Sequence, residues 1–95
     1  MFARVTHFRV KPSSIEEAKA LTEKLKPQIM ALPGIHSFIN MIDDDGKGCV
    51  VSLVESRETS EGNAQAVQAL WANFADHLTE APTADGFDVI ANWSA

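Results

Sequence analysis

Three histidines are the side chains of this chain best suited to moving a proton near neutral pH. His7 lies in the run FARVTHFRV, His36 in IHSFINMI and His77 in FADHL, three separate segments without the spacing of metal ligands. His36 is the candidate general base, because it stands near the start of a β-rich run from which it could open into a pocket; a hydrogen-bonded or solvent-facing imidazole is the simpler alternative. Phe38 and Asn40 follow at two-residue steps, which place all three on one face of a strand. An asparagine amide there has the donor and acceptor needed to orient a carbonyl or a bound dioxygen, or else it points to water. The remaining reactive types offer less. Cys49 sits in an apolar run with no histidine or acid beside it and reads as a small packed residue. Asp43-Asp44-Asp45-Gly46 begins like a calcium loop, but the twelfth position, which needs a bidentate glutamate, is Val54. There is no phosphate-cradling glycine loop and no Ser-His-Asp signature. Neither a metal nor a cofactor is expected.

The elements that must position these residues follow from periodicity. In the first run Phe2, Arg4, Thr6, Phe8 and Val10 share one face of a strand and Ala3, Val5, His7 and Arg9 the other, and Lys11-Pro12 closes it. A helix follows, with Ser13/Glu16 or Ser14/Glu17 at capping-box spacing and an apolar stripe of Ala18, Leu21, Leu25, Ile29 and Leu32. Pro27 falls inside it, so a kink or a second short piece is expected, and Pro33-Gly34 ends it, with Gly34 taking a positive φ. Runs at Ile35 to Ile42 and Cys49 to Glu55 flank the polar turn Asp43 to Gly48, a hairpin. From about Ser60 to Leu78 the period is helical again, with Ala64, Val67, Trp71, Phe74 and Leu78 on one stripe. A loop from Glu80 to Gly86 leads to a last strand, Phe87 to Trp93. The order β-α-β-β-α-β is the ferredoxin-like α+β arrangement, one domain over residues 1–95 with two helices on one face of a four-stranded antiparallel sheet.

Composition narrows the function classes. The chain has 95 residues, 45% of them hydrophobic, with a formal charge of −5 and a pI near 5.0. Its eight basic residues do not gather in one segment, so nucleic acid and anionic membrane surfaces are not expected partners. No apolar run is long enough to span a bilayer and none resembles an export signal. With a lone cysteine suited to a reducing compartment, the expected location is the cytoplasm. Two helices cover one sheet face only, whereas Val50, Val51, Leu53 and Val54 put apolar side chains on both. The second face, carrying Val5, His7 and Arg9, is therefore expected to meet a second copy of the chain in a two-fold symmetric homodimer of stacked sheets. Arg4 and Arg9 are expected to pair with carboxylates at or near that contact, with binding of a substrate carboxylate as the lesser alternative.

Four features carry a resemblance to a known group: a first strand running into Val10-Lys11-Pro12-Ser13, a helix ending in Leu32-Pro33-Gly34-Ile35, a hairpin ending in Val54-Glu55, and a second helix returning to a last strand. Over nearly its whole length the chain resembles the antibiotic-biosynthesis-monooxygenase-like proteins of the dimeric α/β-barrel group. The resemblance implies a dimer and a pocket between sheet and helices, where relatives oxidise aromatic polyketides without cofactor or metal, or degrade haem. The chain has no tyrosine, which the quinone-forming members carry in the pocket. Thr6 stands at or next to the strand asparagine of the haem-degrading members; Trp71 matches their helix tryptophan, and their later histidine falls on Ala81. Haem degradation is therefore not expected. The implied pocket residues are Thr6, Phe38, Trp71 and Phe74, with His36 and Asn40 as catalytic candidates; Trp71 and Phe74 on the inner helix stripe are most simply core, and walling an apolar pocket is their alternative. A cofactor-independent monooxygenase acting on a small aromatic or apolar substrate is the expected function, and a non-catalytic dimeric ligand-binding module is the alternative.

Overall fold

A computed structural model describes residues 1–95. The elements are β1 (Phe2–Arg9), a 3-10 turn at Pro12–Ser14, α1 (Ile15–Met30), β2 (Ile35–Ile42), β3 (Lys47–Val54), α2 (Arg57–Gly62), α3 (Ala64–Ala72) and β4 (Thr83–Asp88). The strands form one antiparallel sheet in the order β2-β3-β1-β4. This is the ferredoxin-like order. No helix is long and apolar enough to cross a membrane.

The register of β1 sorts every side chain of the sheet. Thr6 faces Val50 on one side and Ala84 on the other, and Phe8 faces Gly48. Opposed residues share a face, so this set looks toward the helices. There Phe8, Val10, Ala18 and Val50 are buried together, with Ile15, Phe38, Ile42, Trp71, Phe74 and Leu78 packed around them. Phe8 depends on its partner being a glycine. Its ring lies across Gly48, where any Cβ would collide with the ring carbons.

Several local expectations need correcting. The capping box does not form: Ser14 is the N-cap of α1 and its side chain makes no cap hydrogen bond, because the 3-10 turn already leads the chain into the helix. α1 runs unbroken through Pro27, which is exposed, so its ring meets solvent rather than the sheet. Gly34 does take a positive φ, 69°. The hairpin is tighter than composition suggests: Asp43 N–H donates to Lys47 O at 2.9 Å, and the Asp43 carboxylate accepts from the amides of Asp45 and Lys47, which starts β3 two residues early. The acidic run is thus a self-capped turn.

The second helical stretch is two helices. Ser56 caps α2 by accepting from Thr59 N–H at 3.1 Å, and the chain re-forms its helix after Asn63, whose buried side chain donates to Pro33 O at 2.9 Å. The last strand is Thr83–Asp88 and not Phe87 to Trp93. Its partner decides this: β1 begins at Phe2, opposite Asp88, and beyond it only the bond from Val89 N–H to Met1 O remains. Ile90 and Trp93 are consequently 98% and 91% exposed.

The glycine arrangement gives a direct stability test. Gly48→Ala is expected to cost about 1–3 kcal/mol by overpacking against Phe8. Gly62→Ala, where an added methyl meets nothing within 4 Å, is expected to be neutral or to gain about 0.4–1 kcal/mol. Urea midpoints of the two variants should therefore move apart.

Candidate functional site

Between the sheet and the helices lies a cavity of about 390 Å³, thirteen of whose twenty lining residues are hydrophobic. That size and character suit a small organic ligand. Three rows of the sheet form its floor: Phe38, Ser52 and Arg4; Asn40, Val50 and Thr6; then Ile42 and Phe8, with Gly48 covered by the Phe8 ring between them. α1 forms one wall with Thr22, Leu25 and Ile29, and α3 the other with Val67, Leu70 and Trp71.

An aromatic corner closes one end. Trp71 stands 5.4 Å from Phe8 and 5.8 Å from Phe74, centroid to centroid, with the rings tilted by 53° and 56°. Tilted pairs at these separations are favourable and fix the indole in place. Trp71 thereby forms a fixed part of the cavity wall. At the other side Asn40 Nδ2 reaches Thr22 Oγ1 at 3.5 Å, and Thr22 donates to Ala18 O at 2.9 Å. This links β2 to α1 and leaves the Asn40 carbonyl oxygen without a partner in the chain. Thr6 is 4% exposed and its hydroxyl makes no hydrogen bond within the protein.

Of the residues singled out from sequence, Thr6, Phe38, Asn40, Trp71 and Phe74 come together in this lining, and His36 does not. A register shift between Ile35 and Ser37 is the reason. Ile35 pairs with Val54 and Ser37 with the next residue, Leu53, so His36 is the extra residue of a bulge and is exposed. The alternation that joined it to Phe38 and Asn40 is broken there. His77 lies beyond the end of α3, with Nδ1 3.6 Å from the Glu17 carboxylate, and His7 is exposed on the opposite sheet face. No three His, Cys, Asp or Glu side chains converge as a metal site would require.

Arg4 is the residue that sequence reasoning misplaced. It lines the cavity, forms no salt bridge, and its Nε is buried without a hydrogen-bond partner. The signal was present, since alternation puts Arg4 on the face of Thr6 and Phe8. A cation beneath an apolar pocket nevertheless runs against the usual rule that charges avoid burial. Glu23 and Lys19 from α1 complete the charged part of the lining.

Replacing Thr6 by valine removes a hydroxyl that bonds to nothing in the protein and keeps the branched shape. The variant should melt no lower than the native chain in a thermal scan; a large loss would mean that the hydroxyl has a structural partner.

No protein-family model and no curated protein matches the chain. Solved structures do. An antibiotic biosynthesis monooxygenase superposes with a TM-score of 0.77 at 16% identity, covering 96% of this chain and all of its own. The NE2512 protein of Nitrosomonas europaea, of unknown function, gives 0.82 at 16% identity over 99% of this chain and 93% of its own. A variant of MhuD with two manganese protoporphyrin IX molecules bound per active site gives 0.79 at 16% identity over the full length of both chains. The present cavity does not fit a metalloporphyrin of that kind well, because its lining contains no histidine, cysteine, methionine or tyrosine to ligate an iron. Across nearly its whole length, the chain has the fold of the antibiotic biosynthesis monooxygenase structures.

Proposed function

We propose that this protein is a cytoplasmic homodimer in which each subunit binds a small aromatic substrate in the sheet–helix cavity and lets it react with dioxygen, without a resident cofactor. The observation that carries this reading is the cavity itself, with its indole wall, unpaired amide carbonyl and free hydroxyl, in a fold that includes antibiotic biosynthesis monooxygenases. In such a reaction the substrate is its own reductant. An activated aromatic CH2 gives up four electrons and two hydrogens to O2; one oxygen atom becomes the new carbonyl and the other leaves as water. Nothing has to be supplied by a flavin or a metal.

The contribution of the chain is then positioning and desolvation. Trp71, Phe74 and Phe38 hold the rings, and Thr6 and Asn40 offer hydrogen bonds to the oxygen substituents that fix the reacting carbon. Glu23 is the carboxylate of the lining and the group there suited to taking the substrate proton. His36, outside the cavity, has no part in this scheme.

A dimer is supported by the other sheet face. There Val5, Val51 and Ile39 form one row and His7, Cys49 and Met41 the next, and Ile39, Met41 and Phe87 remain about half exposed in a lone chain. Stacking two such faces would cover them and bring His7 and Arg9 to the contact. Sedimentation velocity at micromolar concentration should give twice the chain mass, and Ile39→Asp should shift it to the monomer. A native chain that sediments as a monomer would overturn the dimer.

A non-catalytic binding module is the second reading, favoured by the absence of histidine, cysteine and tyrosine from the lining. Turnover of anthrone and hydroquinone substrates under 18O2 separates the two. Monooxygenation predicts protein-dependent product carrying one heavy oxygen, none formed anaerobically, and a rate lowered at least about tenfold by Asn40→Ala. Saturable binding of the same compounds with no rate above background would leave the binding module.

A further inference from the structure

We infer that the ligand of this cavity carries a carboxylate, and that Arg4 is the residue that binds it. The inference rests on the cavity being the ligand site, as proposed above, and names the chemical class that the site selects.

The argument begins with a charge that lacks a counter-ion. A guanidinium keeps its positive charge in any ordinary surroundings. Burying one without an acceptor is costly, and a buried donor left unmade costs more than a typical hydrogen bond returns. Arg4 is half-buried and forms no salt bridge within the chain. Its cross-strand neighbours on the same face are Ser52 and Gly86, neither of which bears a charge. Its Nε is inaccessible and bonded to nothing. Both salt bridges of the chain lie elsewhere, using Glu16 with Lys19 and Glu17 with His77. Glu23, the carboxylate that shares the lining, is paired with no cation. The second sheet face cannot supply the acceptor either, because the strand alternation that sends Arg4 toward the helices sends Val5 and Ala3 the other way.

What remains is an acceptor brought by the ligand. The two terminal nitrogens of a guanidinium carry parallel N–H groups that match the two oxygens of a carboxylate, and in Arg4 they, unlike Nε, are not sealed off. Arg4 stands one row beyond Thr6 and two beyond Phe8 on the floor. A ligand with its carboxylate at Arg4 therefore lays its body over Thr6 and Val50 toward Phe8 and Trp71. The apolar portion meets the aromatic corner and the acid meets the cation, so one orientation is chosen over its reverse. The chain as a whole, at −5, repels anions, which makes a preference for an acid a local effect of the pocket.

The test uses Trp71 as reporter. In a Trp93→Phe background, which removes the exposed second tryptophan, indole quenching is titrated with 2-naphthoate and anthracene-2-carboxylate and with the neutral amide of each. Either acid is expected to bind at least roughly tenfold more tightly than its amide, the range of one charge-assisted hydrogen bond. Arg4→Gln should erase that ratio by weakening the acid alone, and Arg4→Lys should restore part of it. The ratio with Arg4 in place needs no substitution at that residue, so it decides the matter even if a variant at Arg4 fails to fold. Equal binding of acid and amide, or equal weakening of both by Arg4→Gln, would overturn the anchor and leave the cavity as a ligand site. Quenching by none of the four compounds would overturn the cavity reading and the anchor together.

Discussion

Everything in this structure hangs on β1. It is paired along both edges, to β3 over its full length and to β4 from Phe2 to His7. Its far end is held by three further bonds: Val10 N–H to Gly46 O, Lys11 N–H to His77 O, and Thr79 N–H to Arg9 O. These join the hairpin tip and the segment after α3 to the same few residues. Fixing β1 therefore fixes the aromatic corner, since Phe74 and Leu78 belong to that segment. Val10, at 1% exposure, is the most deeply buried of these residues.

Helices laid on a four-stranded sheet could fill the space between, yet here a cavity survives. The floor explains part of this. Phe8 and Phe2 reach over the neighbouring glycines Gly48 and Gly86, so the outer ring carbons of two of the largest side chains of β1 occupy the space that a side chain there would take. The walls explain the rest. Asn40 and Thr22 join on one side and Asn63 ties the α2–α3 junction to Pro33 on the other, holding the helices at a set distance. Void in a protein interior forfeits dispersion contacts. A small chain that keeps such a space gives up stability it could have gained by filling it.

The polar groups around the cavity are sparse and unevenly placed. Arg4 lies at one end of the floor, the aromatic rings at the other, and Thr6 and Asn40 between them. A gradient of this kind orients a ligand better than a uniformly greasy pocket does, because a misplaced charge or a buried unpaired donor is penalised more than a misplaced methyl. The same economy operates on the opposite face, where Ile39 and Met41 stand beside His7 and Cys49 without any covering element.

Alternation in FARVTHFRV and the three- and four-residue steps of the helical stretches were enough to read the order of elements and the face of β1 that meets the helices, while the cavity and five of its residues were expected only with the help of the family resemblance. The first two follow from local geometry, which repeats along the chain. Where pairing between distant segments intervenes, the reading failed. His36 was lost to a bulge that depends on how β2 meets Val54 and Leu53, and the last strand was placed too late because its length is set by where β1 begins. The side of the sheet that Arg4 takes was legible in its parity, yet its charge was assigned to a carboxylate at or near the dimer contact. Only packing reveals that no carboxylate approaches it, since an unpaired cation is a property of everything around the residue and of nothing beside it in the chain.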